Sequence, residues 1–222
     1  MTSSNLLHIG RVREVEIRLI LGISIITLLN VVIYKSLSTT EPAMVIFLNG
    51  IGLHIYALCI FLMVVFTFLR KEKFLGYTFY TLLSLLAINI VVNLFDLIAN
   101  KRISDNGQAI LLDAFLIWIS SLVVFGFWYW ILDRGGPIAR AEERGTRPDL
   151  LFPQHQTKIP GWENFKPDFW DYFVFSFFTS TGFSPADTLP LTQRAKILMV
   201  IEASISLVII GMVVSRAISL IQ

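Results

Sequence analysis

A small set of polar side chains lies inside long apolar stretches, and their types and spacing are what could do chemistry. Asn89, Asn93 and Asp96 follow at spacings of four and three, so they share one helix face. Asp113 in the next apolar stretch falls near the same membrane side, and Asn30, Asn49 and His54 map to that half as well. An ionisable group in a membrane helix is costly and by default marks a site. Asp96, Asp113 and His54 therefore suggest a path for a proton or a cation. Two plainer arrangements fit the same residues: hydrogen bonds between helices, or Asp96 paired with Lys101 or Arg102 at the membrane surface. Glu202 falls about two turns inside the last apolar stretch, where it either lines a pore or pairs with Arg18 or Lys196.

Other chemistries lack the residues they need. Cys59 is the single cysteine, so no intramolecular disulfide or cysteine metal site can form. His54 reads as a packed or interfacial histidine. His8 and His155 fall in polar segments and offer no axial partner for a haem, and no metal or cofactor is expected. There is no nucleophile elbow, no H-E-x-x-H and no glycine-rich phosphate loop, so no enzyme is expected. Glu142 and Glu143 read as a solvated charge run. A net charge of +2 is too small to argue for nucleic acid.

The elements that must position these residues are membrane helices. The chain is 55% hydrophobic and 15% charged, against roughly 45–50% and roughly 25% in a soluble domain. The apolar excess is gathered into blocks, and a helix crossing the hydrocarbon needs about 20 such residues. The blocks run over 18–34, 43–69, 74–99, 109–132 and 197–221. The first has no small-residue cleavage site and is expected to remain as a helix. The fourth ends in Phe125, Phe127, Trp128, Tyr129 and Trp130, which read as a belt at the membrane interface. Gly135, Gly136 and Pro137 then stop it. The polar stretch to Pro160 reads as a solvent loop, with Leu151, Phe152 and Pro153 tucked against the membrane face.

Alternating the loops across the membrane gathers Arg11, Arg13, Arg70, Lys71, Lys73 and the basic residues of the long loop on one side. The positive-inside rule makes that side cytoplasmic and puts the N-terminus there, in a multi-pass protein.

Residues 168–178 are strongly apolar and aromatic but too few to cross a core of about 30 Å. Pro167 is placed to start a helix there, and Gly182 and Pro185 to end it. A half-crossing helix followed by a loop is the simplest reading. Non-helical backbone at that depth survives only in protein or beside a water-filled cavity.

The segment 179–190 reads T-S-T-G-F-S-P-A-D-T-L-P, between an aromatic helix and a last membrane helix. This resembles the pore module of the potassium-channel superfamily: outer helix, pore helix, filter loop, inner helix. Thr181, Gly182 and Phe183 resemble the centre of that filter. Asp187 and Pro190 keep its aspartate-to-proline spacing, and Gly211 sits where the inner helix often has a flexible glycine. The second filter glycine is missing, two extra residues lie between Gly182 and Asp187, and Pro185 brings a fixed φ. W-Y-W-x-L-D-R-G-G-P from Trp128, L-F-P-Q from Leu151, D-Y at Asp171 and F-S-P-A-D-T-L-P-L-T-x-x-A-K up to Lys196 also resemble an uncharacterised family of bacterial integral membrane proteins. That resemblance implies a bacterial inner membrane and a pore-loop-like C-terminal half.

The expected fold is all-α. A three-helix membrane region covers 1–105. A channel-like module covers 106–222, with an outer helix, a cytoplasmic loop over 133–165, a pore helix, a filter-like loop and an inner helix. The resemblance implies a homo-oligomer, four copies around an axis, passing a monovalent cation. Thr179, Ser180, Thr181, Gly182, Phe183, Ser184 and Asp187 would form the lining, and a ring of Asp187 carboxylates would favour cations at its mouth. Two alternatives stand beside it: a proton- or ion-coupled transporter built on Asn89, Asn93, Asp96 and Asp113, or a non-conducting scaffold or accessory subunit whose contact surface is the long loop.

Overall fold

The structure is a computed structural model. It describes residues 22, 24, 25, 27, 28, 43–69, 72–99, 107–141, 147–156, 160–161, 165–182 and 188–219. Helices dominate: α1 (Ala43–Phe68), α2 (Glu72–Ala99), α3 (Gly107–Leu132), α4 (Pro137–Ala141), α5 (Pro153–Gln156), α6 (Phe169–Thr181) and α7 (Gln193–Ser219). Two short strands, β1 (Leu150–Leu151) and β2 (Leu189–Pro190), pair antiparallel, Leu150 opposite Pro190 and Leu151 opposite Leu189. Among the described residues, three helices are long and apolar enough to cross a membrane, over Phe74–Phe95, Leu111–Gly135 and Gln193–Ser215, and a shorter apolar helix spans Gly52–Phe68. The expected block at 18–34 falls almost wholly outside the described residues.

The chain packs as two compact units, one containing Leu122–Val208 and the other Glu16–Ser121 with Ile209–Gln222. In the second unit α1 and α2 form a hairpin closed by Phe66 against Phe74, ring centroids 5.5 Å apart. Each helix buries one stripe at helical spacing. That stripe is Tyr56, Cys59 and Met63 on α1, and Leu75, Phe79, Leu82, Leu83, Leu86, Ile90, Asn93 and Leu94 on α2. Hydroxyls along these apolar helices bond back to the preceding turn: Thr67 to the Met63 carbonyl, Thr78 to Phe74, Thr81 to Tyr77 and Ser84 to Tyr80. A hydroxyl satisfied inside its own helix carries no unmet polar group into lipid.

In the first unit the later part of α3 packs on α6. Gly126 allows the close approach, because a Cβ there would lie 3.2 Å from the Phe173 Cα. Phe127 stacks on Phe169 with centroids 4.2 Å apart, and Tyr129 meets Phe175 edge-on at 4.8 Å. Phe125, Phe127, Tyr129 and Trp130 are therefore buried. This corrects the reading of that cluster as an interface belt: the aromatic face of α6 covers it before lipid can.

The polar stretch after α3 also departs from expectation. It is not simply a solvent loop, since Asp133, Asp149, Leu150 and Phe152 are buried. The reason is pairing. β1 is held to β2, and the carboxylate of Asp133 accepts from the backbone N–H of Asp149 at 2.8 Å and of Leu150 at 3.3 Å. Polar composition suggested solvation, but these polar groups bond one another and carry Leu150 and Phe152 inside with them.

Candidate functional site

The helix α6 has 13 residues, about 20 Å of rise. Its start is defined by a capping box: Asp168 accepts from Trp170 N–H at 2.8 Å and Asp171 N–H at 3.4 Å, while Asp171 accepts from Asp168 N–H at 2.8 Å. Its end is Gly182 in the left-handed conformation, φ 72°.

Three contacts put the C-terminus of α3 and the N-termini of α6 and α7 at one end of this unit. Tyr172 donates from its hydroxyl to Asp133 at 2.8 Å. Asp133 in turn holds the Asp149 amide. Asp149 accepts from Arg194 Nε and Nη2, each at 2.6 Å, and from the Thr192 hydroxyl at 2.6 Å, and its carbonyl accepts from Leu191 N–H at 2.8 Å. The chain thus leaves this end along α6, reaches Gly182, and is back at the same end by β2.

Deeper in the unit, Glu202 of α7 ties the three helices together. It is fully buried and accepts from the Tyr129 hydroxyl of α3 at 2.6 Å. It also meets Ser176 of α6, whose hydroxyl lies 3.0 Å from the Leu122 carbonyl. Ala195, Glu202, Ser206 and Ile209 make the buried stripe of α7, while Ile197, Val200, Ile201, Leu207 and Val208 remain exposed. Of the partners expected for Glu202, Arg18 lies outside the described residues, and the bonds observed are instead to Tyr129 and Ser176.

Among the other candidates, Thr179 and Ser180 are buried, Thr181 is half-buried and Gly182 is exposed. Their hydroxyls bond to helix carbonyls: Thr179 to Phe175 at 2.9 Å, Ser180 to Phe177 at 3.0 Å and Thr181 to Phe177 at 2.9 Å. Phe183, Ser184 and Asp187 lie outside the described residues. Gly211 is exposed, with open space where a Cβ would stand. On α2, Asn93 donates to Asn89 at 2.8 Å, so the structure brings these two together. Asp113 is buried on α3, His54 is exposed on α1, and the Asp96 side chain lies outside what is described.

Sequence reasoning passed over Asp133, Asp149, Tyr172, Ser176, Arg140 and Arg194 as site residues. Asp133 and Tyr172 fall inside the W-Y-W-x-L-D-R-G-G-P and D-Y stretches, so that signal existed. Asp149 stands just before a marked stretch and had none.

Burial alone would raise the Asp149 carboxyl, but the hydrogen bonds from Arg194 and Thr192 and the Arg194 charge outweigh it and hold the group below the usual aspartate range. A depressed carboxyl stabilises the fold above its unfolded pKa of about 3.9 and loses that effect as pH falls through the lower folded value. In detergent, Asp149→Asn is expected to melt roughly 3–6 °C below wild type at pH 7. That gap should close as both are melted toward pH 3; a gap that persists or widens in acid would contradict the assignment.

Three apolar helices of crossing length make this a helical membrane protein. No family model matches the chain, and no curated protein or solved structure matches it either.

Proposed function

We propose that the chain is one subunit of an oligomeric, channel-like protein of the bacterial inner membrane, with α3, α6 and α7 as outer, pore and inner helices. One observation carries the reading. A helix of 13 residues lies in sequence between two helices long enough to cross, and hydrogen bonds hold its N-terminus and that of α7 at the same end of their unit. The hydrogen bonds of Glu202 and Asp133 support α6 from α7 and α3, leaving its Gly182 tip for the lining loop. The exposed apolar side of α7 supports packing against lipid and against further copies. The resemblance to the potassium-channel pore module puts Asp187 at the mouth, where a carboxylate from each copy would favour a monovalent cation. No catalytic step belongs to this reading.

The test is cation flux in liposomes holding the purified oligomer. Wild type should conduct, and Asp187→Asn should lower cation flux by roughly tenfold, as expected of removing a charged ring. Absence of flux at every voltage and pH, with a folded oligomer confirmed, would reject conduction and leave a scaffold. The transporter reading has its own support in the buried Asp113 and the Asn89–Asn93 pair. It predicts transport that Asp113→Asn abolishes and Asp187→Asn spares.

A further inference from the structure

We propose that Arg134, Arg140 and His155, where α3 ends, form a binding site for a phosphate-bearing anion. Several hydrogen-bond donors at this turn are left over. Arg140 spends Nη1 on the Trp130 carbonyl at 2.8 Å and the Asp133 carbonyl at 2.6 Å, and its guanidinium lies over the Tyr172 ring, 5.2 Å from the centroid. Its Nη2 is shielded from solvent with no hydrogen-bond partner among the described residues, and so is Nε of Arg134. The Arg134 Nη2 lies 3.4 Å from His155 Nε2. A guanidinium can only donate, so Nε2 accepts and the ring proton sits on Nδ1. That Nδ1 also lacks a well-formed hydrogen bond, although the Phe165 carbonyl lies near enough to favour the charged ring. A buried donor left unmet is costly, and here the unmet donors belong to neighbouring basic groups.

The charge balance points the same way. Among the described residues, Asp133 supplies the negative charge acting on Arg140, and its carboxylate already accepts from Asp149 N–H, Leu150 N–H and the Tyr172 hydroxyl. Burial chiefly, and the Arg134 charge in addition, hold Arg140 below its usual range, although Tyr172 and Asp133 pull the other way. Burial and then Arg134 likewise depress His155, against Asp133 and Phe165. An anion would relieve both. Backbone strain presents Arg134 to the site: among the described residues it is the one non-glycine with positive φ, 52°, followed by Gly135 at 79° and Gly136 at 97°. A side chain held in that region costs free energy and tends to persist where a site needs it. A phosphate accepts several such donors at once and suits an arginine fork. Its position where a crossing-length helix ends makes a lipid headgroup phosphate and a free phosphate the two sources. The inference does not depend on ion conduction.

The experiment melts the protein in phosphate-free maltoside micelles alone, with added phosphatidylglycerol, and with added inorganic phosphate. Phosphatidylglycerol or phosphate should raise the wild-type Tm. Arg134→Gln should weaken the midpoint of that effect by about tenfold, while Lys196→Gln, at an exposed position, should leave it unchanged. A shift with the lipid alone assigns the headgroup, and a shift with both assigns the phosphate group itself. Should Arg134→Gln fail to fold, Arg134→Lys keeps the charge without the Nε donor and should still weaken the effect. No shift in wild type from either source, or a full shift retained in the Arg134 variants, would overturn the site and leave water as the partner of these donors.

Discussion

Asp133→Ala is expected to be among the most damaging single changes in the chain. It removes one acceptor and strands three buried donors at once: the Asp149 and Leu150 amides and the Tyr172 hydroxyl. At about 1–2 kcal/mol for each stranded group, the loss is roughly 3–6 kcal/mol, a large part of the about 5–15 kcal/mol that holds a folded domain together. It would also leave Arg134 and Arg140 without their neighbouring negative charge. The expected result is little folded protein after extraction, or a Tm at least about 10 °C lower. Asp133→Asn keeps an acceptor for the amides and should fall between the two. A Tm within about 2 °C of wild type for Asp133→Ala would show that the turn after α3 does not hold β1 and α6 as described.

Glu202→Ala is expected to be similarly severe, for a related reason. Its carboxyl is enclosed between Tyr129 and Ser176, so truncation leaves a cavity, an unmet Tyr129 hydroxyl and a loosened α6. The combined cost is about 3–5 kcal/mol. Glu202→Gln separates shape and hydrogen bonding from charge. The amide oxygen can accept from Tyr129. The amide nitrogen can donate to Ser176, whose one hydroxyl proton is then free for the Leu122 carbonyl. Thermal melting should therefore place Glu202→Gln close to wild type and Glu202→Ala far below it. Equal damage from both would mean that a negative charge, not a hydrogen-bonded junction, is required at this position.

These two residues also show what could be read in the sequence and what could not. The long helices were legible because apolar runs end where chemistry ends them, α1 after Pro42 and α3 before Gly135, Gly136 and Pro137. The short helix α6 was legible from Pro167 and Gly182, which the structure uses just before its cap and at its left-handed end. Glu202 stood out because a carboxylate in an apolar run is costly, but its partners lie 73 and 26 residues away and no periodicity reports them. Asp133 was hidden for the opposite reason. It opens a polar stretch, and polar stretches read as solvated unless the distant amides and hydroxyls that bury them are known. Tyr129 and Trp130 misled because an aromatic cluster at a helix end suits a membrane interface and a helix–helix contact equally well.

In the proposed topology α6 enters and the chain leaves on one face of the membrane. Labelling of Lys166→Cys and Gln193→Cys, each in a Cys59→Ser background, with a membrane-impermeant maleimide on sealed vesicles of known orientation reads this out. Both positions are exposed, one just before α6 and one at the start of α7, and Cys59 is the native thiol to be removed. Labelling of both from the same face is the predicted result. Labelling from opposite faces would make the stretch between them a crossing and contradict the account.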